Sequence, residues 1–592
     1  MQYSLKSYLE IKRSTSPSWI FNGEYIAYLH NRSGVFQIYK KSMKSKEEQL
    51  TFFEDSIEFV SCSPTQELIA FGMSVNGDEN MQIYLLNPQT KEFKNLTTPG
   101  IKHMWGGWSY DGKSIAYVSN QRNGKDFDIF ILELATGKVE RVFISDGHYS
   151  IGGFSPSGKY LSLSKNYSNA ENDIFLLEIS SKEIKKITSG EKSIYGSPAW
   201  LADEKGFFIR NNKGKDFIGV SFYDMKNNKL RDIHTPKGDV TTLAINRSGE
   251  QLAIITNIEG YEKMELFSTL SCKKIAANFG KSSLVESISW SKDSKQLAFA
   301  GESYAEPCTL WTYMLSNKKL SQFTLCECPI PSSSFVEEKI IHYKSFDGLQ
   351  IPAFIYLPKK TNKKAPAIIY IHGGPEGQTQ PSFSGLFQYF ISQGYAVICP
   401  NVRGSTGYGK KYEAMDNVRK RLDSVKDLAA LHSFLKKDKV IDSNRLVLLG
   451  GSYGGYMVLA GLAFHPNLWA AGICIVGISN FITFLQNTAP YRRSLREPEY
   501  GSLEKDYEFL KSVSPINFVN KISAPLMVIH GANDPRVPLS EAQQIVNSLN
   551  SQGKKTKLLV YGDEGHGLSK LKNRLDAYPQ VIDFLNKIII EK

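Results

Sequence analysis

The sequence lacks several features that would place it in a specialised class. The N-terminal segment MQYSLKSYLEIKRS contains no apolar core, so no signal peptide is expected. No run of about 18 apolar residues occurs, which predicts neither a membrane-spanning helix nor a membrane partner. The net charge of +12 comes from 71 basic residues dispersed among 59 acidic ones. Without a long basic block, nucleic-acid binding is not indicated.

Cysteine is also scarce. The seven cysteines are odd in number and irregularly spaced, which argues against a disulfide framework. Cys326-x-Cys328 has no second pair and no His-rich cluster beside it, so both are interpreted as ordinary thiols. We therefore expect no metal, no cofactor and a reducing, cytoplasmic location. The sequence leaves homo-oligomerisation open.

With 592 residues, the chain is long enough for two large domains. Its first half repeats a polar turn followed by a short β-type run. The repeats are spaced by 43 to 46 residues and are anchored at Ala27, Ala70, Ala116, Ser162, Phe208, Ala253 and Ala298. Four short strands per repeat are typical of a propeller blade. Residues 1–330 are predicted to form a seven-bladed β-propeller with a short N-terminal extension; the alternative is an open β-sandwich array.

The proline- and serine-rich segment from Cys328 to Ser334 marks a change of pattern. Beyond it, residues 331–592 alternate between apolar strands and amphipathic helices, which predicts a parallel α/β sheet and an α/β-hydrolase domain. The predicted strands are Gln350–Leu357, Ala367–His372, Tyr395–Pro400, Arg445–Gly450, Ala471–Val476, Leu526–Gly531 and Lys557–Tyr561. The predicted helices are Ser424–Lys436, Tyr453–Phe464, Ser540–Ser551 and Asn573–Ile590.

The motif Gly450-x-Ser452-x-Gly454 joins a predicted strand to a predicted helix. This is the pattern of a nucleophile elbow, in which the chain turns within about one residue and exposes the serine hydroxyl. Glycine is needed on both sides because the flanking backbone segments approach each other closely. The alternative is a glycine-rich turn that contains a serine by chance.

A nucleophilic serine needs a base and an acid that orients the base. Asp534 and His566 follow Ser452 in that chain order, and each comes just after a predicted strand. In a parallel sheet all three reach the same carboxyl edge. Taken singly, Asp534 could belong to a turn and His566 to a loop. Asp563 and Glu564 are rival acids, but they lie too near His566 in the sequence to fit the usual geometry, in which acid and base follow different strands.

The tetrahedral intermediate needs backbone N–H donors. Tyr453, the residue after the nucleophile, is predicted to supply one. The segment His372-Gly-Gly-Pro375 ends an early strand and is similar to the glycine motif that supplies the second donor in such hydrolases. Gly374 is the expected donor and Gly373 the alternative; the segment could also be only a tight turn.

Together these motifs resemble the prolyl oligopeptidase family, and the acylaminoacyl-peptidase-like branch in particular. The resemblance extends to Asn401-Val-Arg-Gly-Ser-Thr-Gly-Tyr-Gly409 and covers the whole chain. It implies a seven-bladed propeller joined to an α/β-hydrolase domain, a triad of Ser452, Asp534 and His566, and an oxyanion hole formed by Tyr453 and Gly374. It also implies that the propeller covers the active site.

The sequence departs from two branches of that family. Dipeptidyl peptidases carry a paired-Glu helix, whereas Glu47-Glu48 lies in a Lys-rich, hairpin-like stretch, so that activity is not expected. Prolyl oligopeptidases have a tyrosine where this chain has His372. Five further side chains are candidates for substrate binding. Ile478, Phe481 and Phe484 would line a specificity pocket or pack in the core, and Arg492 and Arg493 would hold a carbonyl or carboxylate or lie on the solvated surface.

The predicted function is hydrolysis of short peptides by a serine peptidase. An acylaminoacyl-peptidase-like or oligopeptidase activity is expected, gated by the propeller. Two alternatives differ in class. A carboxylesterase would use the same triad, although small esters need no propeller. A non-enzymatic propeller protein would carry a decayed hydrolase domain, although the triad motifs are intact.

Overall fold

The seven N-terminal repeats each fold into a four-stranded antiparallel sheet, which confirms the predicted seven-bladed β-propeller. The structure, a computed structural model, describes residues 3–21, 23–188, 190–359 and 363–590. In chain order, four to a blade, strands β1–β28 are Ser14–Trp19, Ile26–His30, Gln37–Lys41, Glu48–Gln49; Ile57–Cys62, Ile69–Met73, Gln82–Leu86, Phe93–Asn95; His103–Trp108, Ser114–Ser119, Asp128–Glu133, Val139–Phe143; His148–Phe154, Tyr160–Asn166, Asn172–Glu178, Ile184–Lys186; Ala199–Trp200, Gly206–Asn211, Gly219–Asp224, Lys229–His234; Asp239–Ile245, Gln251–Ile258, Tyr261–Ser268, Lys274–Ile275; and Leu284–Trp290, Gln296–Glu302, Thr309–Met314, Lys319–Gln322.

The second strand of each blade explains why the repeat carries a short apolar run. Strands β2 and β6 are buried at every position, because neighbouring blades cover both of their faces. The fourth strands are the most exposed, as in β8. A strand with both faces buried reads as a continuous apolar segment rather than as an alternating one. The repeat can therefore be detected in the sequence.

Contacts between the first and last blades close the propeller. Each blade is built from four consecutive strands, so blades 1 and 7 meet through side chains and isolated backbone bonds. The Ser14 N–H donates to the Cys308 carbonyl at 2.9 Å, and the Trp19 indole donates to the Ser289 carbonyl at 3.2 Å. A buried apolar cluster lies between the two blades and contains Trp19, Ile26, Tyr28, Tyr39, Ala298, Ala300, Cys308, Leu310 and Phe323.

The C-terminal half forms one eight-stranded sheet, ordered β29-β30-β32-β31-β33-β34-β35-β36. These strands are β29 Lys339–Lys344, β30 Gln350–Tyr356, β31 Ala365–Ile371, β32 Ala396–Pro400, β33 Ile441–Gly451, β34 Ala471–Ile475, β35 Leu526–Gly531 and β36 Thr556–Tyr561. The helices of the chain are α1 Leu5–Leu9, α2 Gly385–Ser392, α3 Lys410–Glu413, α4 Arg421–Leu435, α5 Tyr453–Phe464, α6 Phe481–Asn487, α7 Pro490–Tyr500, α8 Tyr507–Ser512, α9 Leu539–Asn550 and α10 Leu571–Leu585. Helical turns occupy Ser332–Ser334, Ala414–Asp416, Val418–Lys420, Pro515–Lys521 and Asn586–Ile590.

Helices cover both faces of this sheet, which confirms the predicted α/β-hydrolase architecture. Helices α4, α5 and α9 pack in the core on one face, and α2 and α10 pack on the other. The prediction of a parallel sheet is wrong at one edge. Strand β30 pairs antiparallel with both β29 and β32, and β29 was not predicted. Apolar composition marks these strands as buried but carries no information on their direction.

The N-terminal extension packs on the C-terminal domain and on Tyr304 and Ala305 of blade 7. Helix α1 contacts α2 and α10, and Tyr8 stacks edge-on against Phe335 and Tyr389. The last propeller strand ends at Gln322 and β29 begins at Lys339, so the predicted division between residues 330 and 331 falls between them. In the described part of the chain, no helix is long and apolar enough to cross a membrane.

Replacing Trp19 is expected to weaken the closure of the propeller. Its side chain is only 5% exposed, and truncation of a buried tryptophan typically lowers the free energy of unfolding by about 3–5 kcal/mol. Trp19→Ala should therefore lower the denaturant midpoint markedly. Trp19→Phe keeps most of the packing and loses the indole hydrogen bond, so it should lower that free energy by only about 1–2 kcal/mol. An unchanged midpoint for Trp19→Ala would show that closure does not depend on this contact.

Candidate active site

Ser452 lies at the tip of a sharp turn between β33 and α5. Its backbone has φ 58° and ψ −120°, a conformation that non-glycine residues rarely adopt and that costs roughly 1–3 kcal/mol. The flanking glycines are required by contact. A Cβ on Gly450 would lie 2.4 Å from the Gly454 carbonyl oxygen, and one on Gly454 would lie 2.1 Å from the Ile371 oxygen. The glycine spacing recognised in the sequence therefore follows from close packing of this turn against β31.

His566 and Asp534 are brought together by neighbouring strands of the same sheet. Asp534 follows β35 and His566 follows β36, and His566 Nδ1 lies 2.6 Å from Asp534 Oδ2. The other oxygen of Asp534 accepts hydrogen bonds from the backbone N–H groups of Arg536 and Val537, at 2.8 and 3.0 Å. The carboxylate is therefore held by three donors while its side chain is buried. Ser452 and His566 line one cavity of about 650 Å³.

Nearby ionisable groups have other partners. Asp563 pairs with Lys570 and Lys572. Glu564 accepts hydrogen bonds from Ser569, Lys570 and Asn573. Both rival acids are thus engaged away from His566. Burial lowers the pKa of His530, whose Nε2 lies 3.8 Å from Asp534 Oδ2 and 2.9 Å from the Val537 carbonyl.

The glycine turn predicted to supply an oxyanion donor lies directly beside Ser452. A Cβ on Gly373 would be 3.2 Å from Ser452 Cβ, which places this backbone against the nucleophile. Gly374 has φ +134°, and its carbonyl accepts a hydrogen bond from the Tyr500 hydroxyl at 3.0 Å. The ring of His372 supports the turn, with Nδ1 2.8 Å from the Gly373 carbonyl and Nε2 2.8 Å from Ser405 Oγ. Burial lowers the pKa of His372, which favours a neutral ring.

A buried charge network behind the elbow was missed in the sequence. The guanidinium of Arg421 is fully buried and pairs with Asp416 and Glu499. It also donates to the Tyr453 hydroxyl at 2.9 Å, and that hydroxyl lies 2.9 Å from Ser424 Oγ. The network therefore holds the residue whose N–H is predicted to face the oxyanion. Asp416 and Ser424 lie within five residues of Arg421, but Tyr453 and Glu499 are 32 and 78 residues away, so no local pattern could have revealed the whole network.

The predicted apolar substrate contacts are placed in the core, the second role that the sequence left open. Ile478 and Phe481 are 1% exposed and Phe484 is 2% exposed, and all three belong to the core on the α5 face. The Phe481 ring packs 4.7 Å from Tyr456 and 4.9 Å from Tyr500. None of the three is among the residues that line the cavity beside Ser452.

The two arginines predicted as substrate contacts differ in their exposure and in their partners. Arg493 is exposed and pairs with Glu497 one turn along α7, at 2.9 Å. Arg492 is half-buried, and among the described residues its Nε has no hydrogen-bond partner. Burial lowers its pKa, and the neighbouring Arg496 and Arg536 lower it further.

The Glu47–Glu48 pair lies at the start of the outer strand of blade 1, with Glu48 as its first residue, and not in a helix. Glu47 accepts a hydrogen bond from Tyr28 and pairs with Arg32, while Glu48 pairs with Lys40 and Lys91. Within the described residues, no group of three or more His, Cys, Asp and Glu could hold a metal ion.

A hairpin of blade 2 rests on the loop that carries His566. Gly77 meets Gly565 so closely that a Cβ on Gly77 would lie 2.2 Å from the Gly565 nitrogen. Asn533 Nδ2 donates to the Asn76 carbonyl at 2.9 Å, and Lys570 pairs with Asp55 at the same distance. The propeller therefore touches the loops that carry both Asp534 and His566.

Comparison with known proteins agrees with this architecture. Residues 381–591 match the model of the prolyl oligopeptidase family, and residues 102–323 match that of the TolB β-propeller domain. Dipeptidyl aminopeptidase BIII of Pseudoxanthomonas mexicana is 24% identical over 582 residues, which are 93% of this chain and 83% of that protein.

Solved structures share the two-domain fold. A prolyl endopeptidase superposes with a TM-score of 0.89 at 18% identity, over 99% of this chain and 91% of the other. The acylaminoacyl peptidase of Pyrococcus horikoshii superposes with a TM-score of 0.76 at 19% identity, over 100% and 98% of the two chains. The solved structures show the shared fold, and the family model matched by residues 381–591, together with relatives named as peptidases, assigns the C-terminal half of the chain to the prolyl oligopeptidase family of serine peptidases.

Proposed function

We propose that this peptidase hydrolyses short peptides by acyl transfer to Ser452, with an acylaminoacyl-peptidase-like or oligopeptidase specificity gated by the propeller. One observation carries the proposal. A histidine bonded at 2.6 Å to a buried carboxylate opens into the same cavity as a serine held in a strained elbow. This is the arrangement of nucleophile, base and orienting acid that acyl transfer requires.

Asp534 accepts a hydrogen bond from His566 Nδ1, which leaves Nε2 as the basic nitrogen. Ser452 Oγ attacks the peptide carbonyl while Nε2 takes its proton. The oxyanion accepts hydrogen bonds from the backbone N–H of Tyr453 and of Gly374. His566 then donates the proton to the leaving amine, and a water molecule hydrolyses the acyl-enzyme by the same steps. Asp534 orients the ring and stabilises the imidazolium throughout.

The environment of Ser452 favours a blocked amino terminus over a free one. Among the described residues that line its cavity, there is no Asp or Glu to pair with an ammonium group. A second cavity, on the propeller side of His566, is lined by Asp55, Glu58 and Glu79. These carboxylates already have partners: Lys570 for Asp55, Ser74 for Glu58 and Arg536 for Glu79. This supports N-acyl peptides as substrates, although the P. mexicana relative is named a dipeptidyl aminopeptidase.

The propeller supports a limit on substrate size. Asn31 of blade 1 lines the cavity together with Ser452, and the blade 2 hairpin covers the His566 loop. An enclosed site admits flexible peptides, excludes bulky chains and removes water that would weaken the oxyanion interactions. A carboxylesterase for small esters would have no use for this cover.

The seven cysteines are all free thiols, which supports a reducing location.

A substrate panel tests this function. We expect the wild-type protein to cleave an acetylated tripeptide faster than the same peptide with a free amino terminus, and to leave casein essentially intact. Ser452→Ala should lower kcat on the acetylated tripeptide by about 10⁴-fold or more without changing the melting temperature. Ser433→Ala, on the exposed face of α4, is the matched control. Turnover of p-nitrophenyl esters alone would indicate a carboxylesterase, and rapid cleavage of casein would contradict the size limit.

Asp534→Asn should lower kcat by about 10⁴-fold while the protein stays folded, because the amide disturbs the tautomer of the base but can still accept the loop N–H bonds. Asp563→Asn is the matched control. Asp563 pairs with Lys570 and Lys572, so kcat should change by only a few-fold. Greater loss in Asp563→Asn than in Asp534→Asn, measured on the acetylated tripeptide, would reverse the assignment of the orienting acid.

Gly77→Ala should lower kcat on short peptides by displacing the loop that carries His566. The added Cβ cannot fit against Gly565, and misplacement of a catalytic group by about 1 Å can cost about 100-fold. Gly100→Ala is matched in strain, with φ +77° against +75°, but its Cβ meets nothing within 4 Å. Both variants should lose the stability that a positive φ costs an alanine, Gly77→Ala should lose more because of its clash, and only Gly77→Ala should lose activity. Equal activity in the two would mean that the hairpin does not position His566.

A further inference from the structure

The cavity beside Ser452 is electropositive. Besides Ser452 and His566, its walls come from the end of the N-terminal extension, from the segment between β31 and α2, and from α10. The described residues that line it include two guanidinium groups, Arg13 and Arg574, and no carboxylate. Because the cavity is also partly walled by aromatic rings, such as Phe383 and Tyr578, the charge of the two arginines is only partly screened by water.

Arg574 lacks the partners that a half-buried cation normally has. Its Nε is buried without a hydrogen-bond partner, and no carboxylate of the described chain lies within ion-pair distance of its guanidinium. Glu564, the acid that acts on it most strongly, is already bonded by Ser569 and Lys570. Burial lowers the pKa of Arg574, and the charge of Arg13 lowers it further. An arginine left in this state costs free energy unless something outside the chain pairs with it.

Arg13 lines the cavity from the end of the N-terminal extension, just before the first strand of blade 1. Its Nη2 donates to Glu302 at 3.1 Å and lies 3.9 Å from Glu286, so part of its charge is already balanced. Its Nε, like that of Arg574, is buried with no hydrogen-bond partner in the described residues. Two guanidinium groups thus line one small cavity and repel each other. An anion bound in the cavity would offset this repulsion.

We propose that Arg574, assisted by Arg13, binds a carboxylate of the peptide substrate in the cavity beside Ser452. A planar guanidinium donates two parallel hydrogen bonds to a carboxylate, the geometry for which arginine is best suited. A cavity of about 650 Å³ is the size of a site for one small ligand, so the carboxylate must lie close to the scissile bond. The free C-terminus of a short peptide supplies such a group, and so does an Asp or Glu side chain.

This inference rests on the proposed function and names its substrate class more narrowly. It assigns the cavity to anionic peptides of a few residues, for which the free carboxylate is a recognition element. Arg574 is therefore a substrate-binding residue, and it takes no part in proton transfer.

The test compares three substrates: acetyl-Ala-Ala-Ala with a free carboxylate, its carboxamide, and acetyl-Ala-Ala-Asp carboxamide. Hydrogen bonds to a charged group contribute about 10- to 100-fold in binding, so the wild-type kcat/KM should favour the free acid over its carboxamide by that factor, mainly through KM. Arg574→Gln should abolish this preference, because KM for the free acid rises to that for the carboxamide. Arg574→Lys, which keeps the charge but loses the planar fork, should retain part of it.

Lys572→Gln is the matched control. It removes a cation from the same helix, but Lys572 is exposed and pairs with Asp563 outside the cavity, so the preference should remain. If the Asp-containing carboxamide is hydrolysed as well as the free acid, the proposal holds and the carboxylate comes from a side chain. Equal kcat/KM for all three substrates in the wild-type protein, or an undiminished preference in Arg574→Gln, would overturn it.

A binding measurement separates this inference from the catalytic one. Two inactive proteins, Ser452→Ala and the double variant Ser452→Ala/Arg574→Gln, are each titrated calorimetrically with the free acid and with its carboxamide. The free acid should bind about 10- to 100-fold more tightly only when Arg574 is present. If wild-type protein hydrolyses no peptide but this difference in Kd is found, the proposed function fails and the carboxylate site stands. Equal Kd values for acid and carboxamide would refute the site whatever the activity. If Arg574→Gln does not fold, Arg574→Lys replaces it, and the difference in Kd should then decrease without disappearing.

Discussion

The site depends on how closely three backbone segments pack at the carboxyl edge of the sheet. Strand β33, the start of α5 and the end of β31 meet around Gly450 and Gly454, where no side chain fits. This packing forces Ser452 into its strained conformation and places Gly373 against it. The strain costs free energy locally, and the buried strands and helices on both faces of the sheet compensate for it. The hydroxyl is thereby presented before any substrate arrives.

The two domains are coupled through the loop that carries His566. The sheet brings that loop next to Asp534, and the blade 2 hairpin contacts it from the other side. The propeller is thus more than a cover, because Gly77 and Gly565 are in backbone contact although they come from opposite ends of the chain. Any opening between the domains must change the surroundings of the proposed base. The proposed size limit and the proposed catalytic geometry therefore depend on the same contact between the blade 2 hairpin and this loop.

Buried charge is arranged differently on the two sides of the nucleophile. Behind the elbow, Arg421 is balanced by Asp416 and Glu499, and this network rigidly supports Tyr453. In the cavity in front of it, Arg574 has no such balance within the described chain. A satisfied network stabilises one conformation, whereas an unsatisfied guanidinium is suited to a partner that comes and goes. The contrast is what distinguishes a structural arginine from one proposed to bind substrate.

The sequence by itself determined the two-domain fold and the order in which the candidate site residues follow one another along the chain. The helix at Tyr453–Phe464 and the strand at Leu526–Gly531 were predicted to the residue, because apolar periodicity and glycine spacing are local properties. The seven blades could also be predicted from the sequence, since each repeats one short buried strand. Only the tertiary structure decided the antiparallel edge at β30, the core position of Phe481, the Arg421 network and the cavity with Arg574. Each depends on contacts between residues far apart in the chain, and a pattern of neighbours along the sequence carries no record of them.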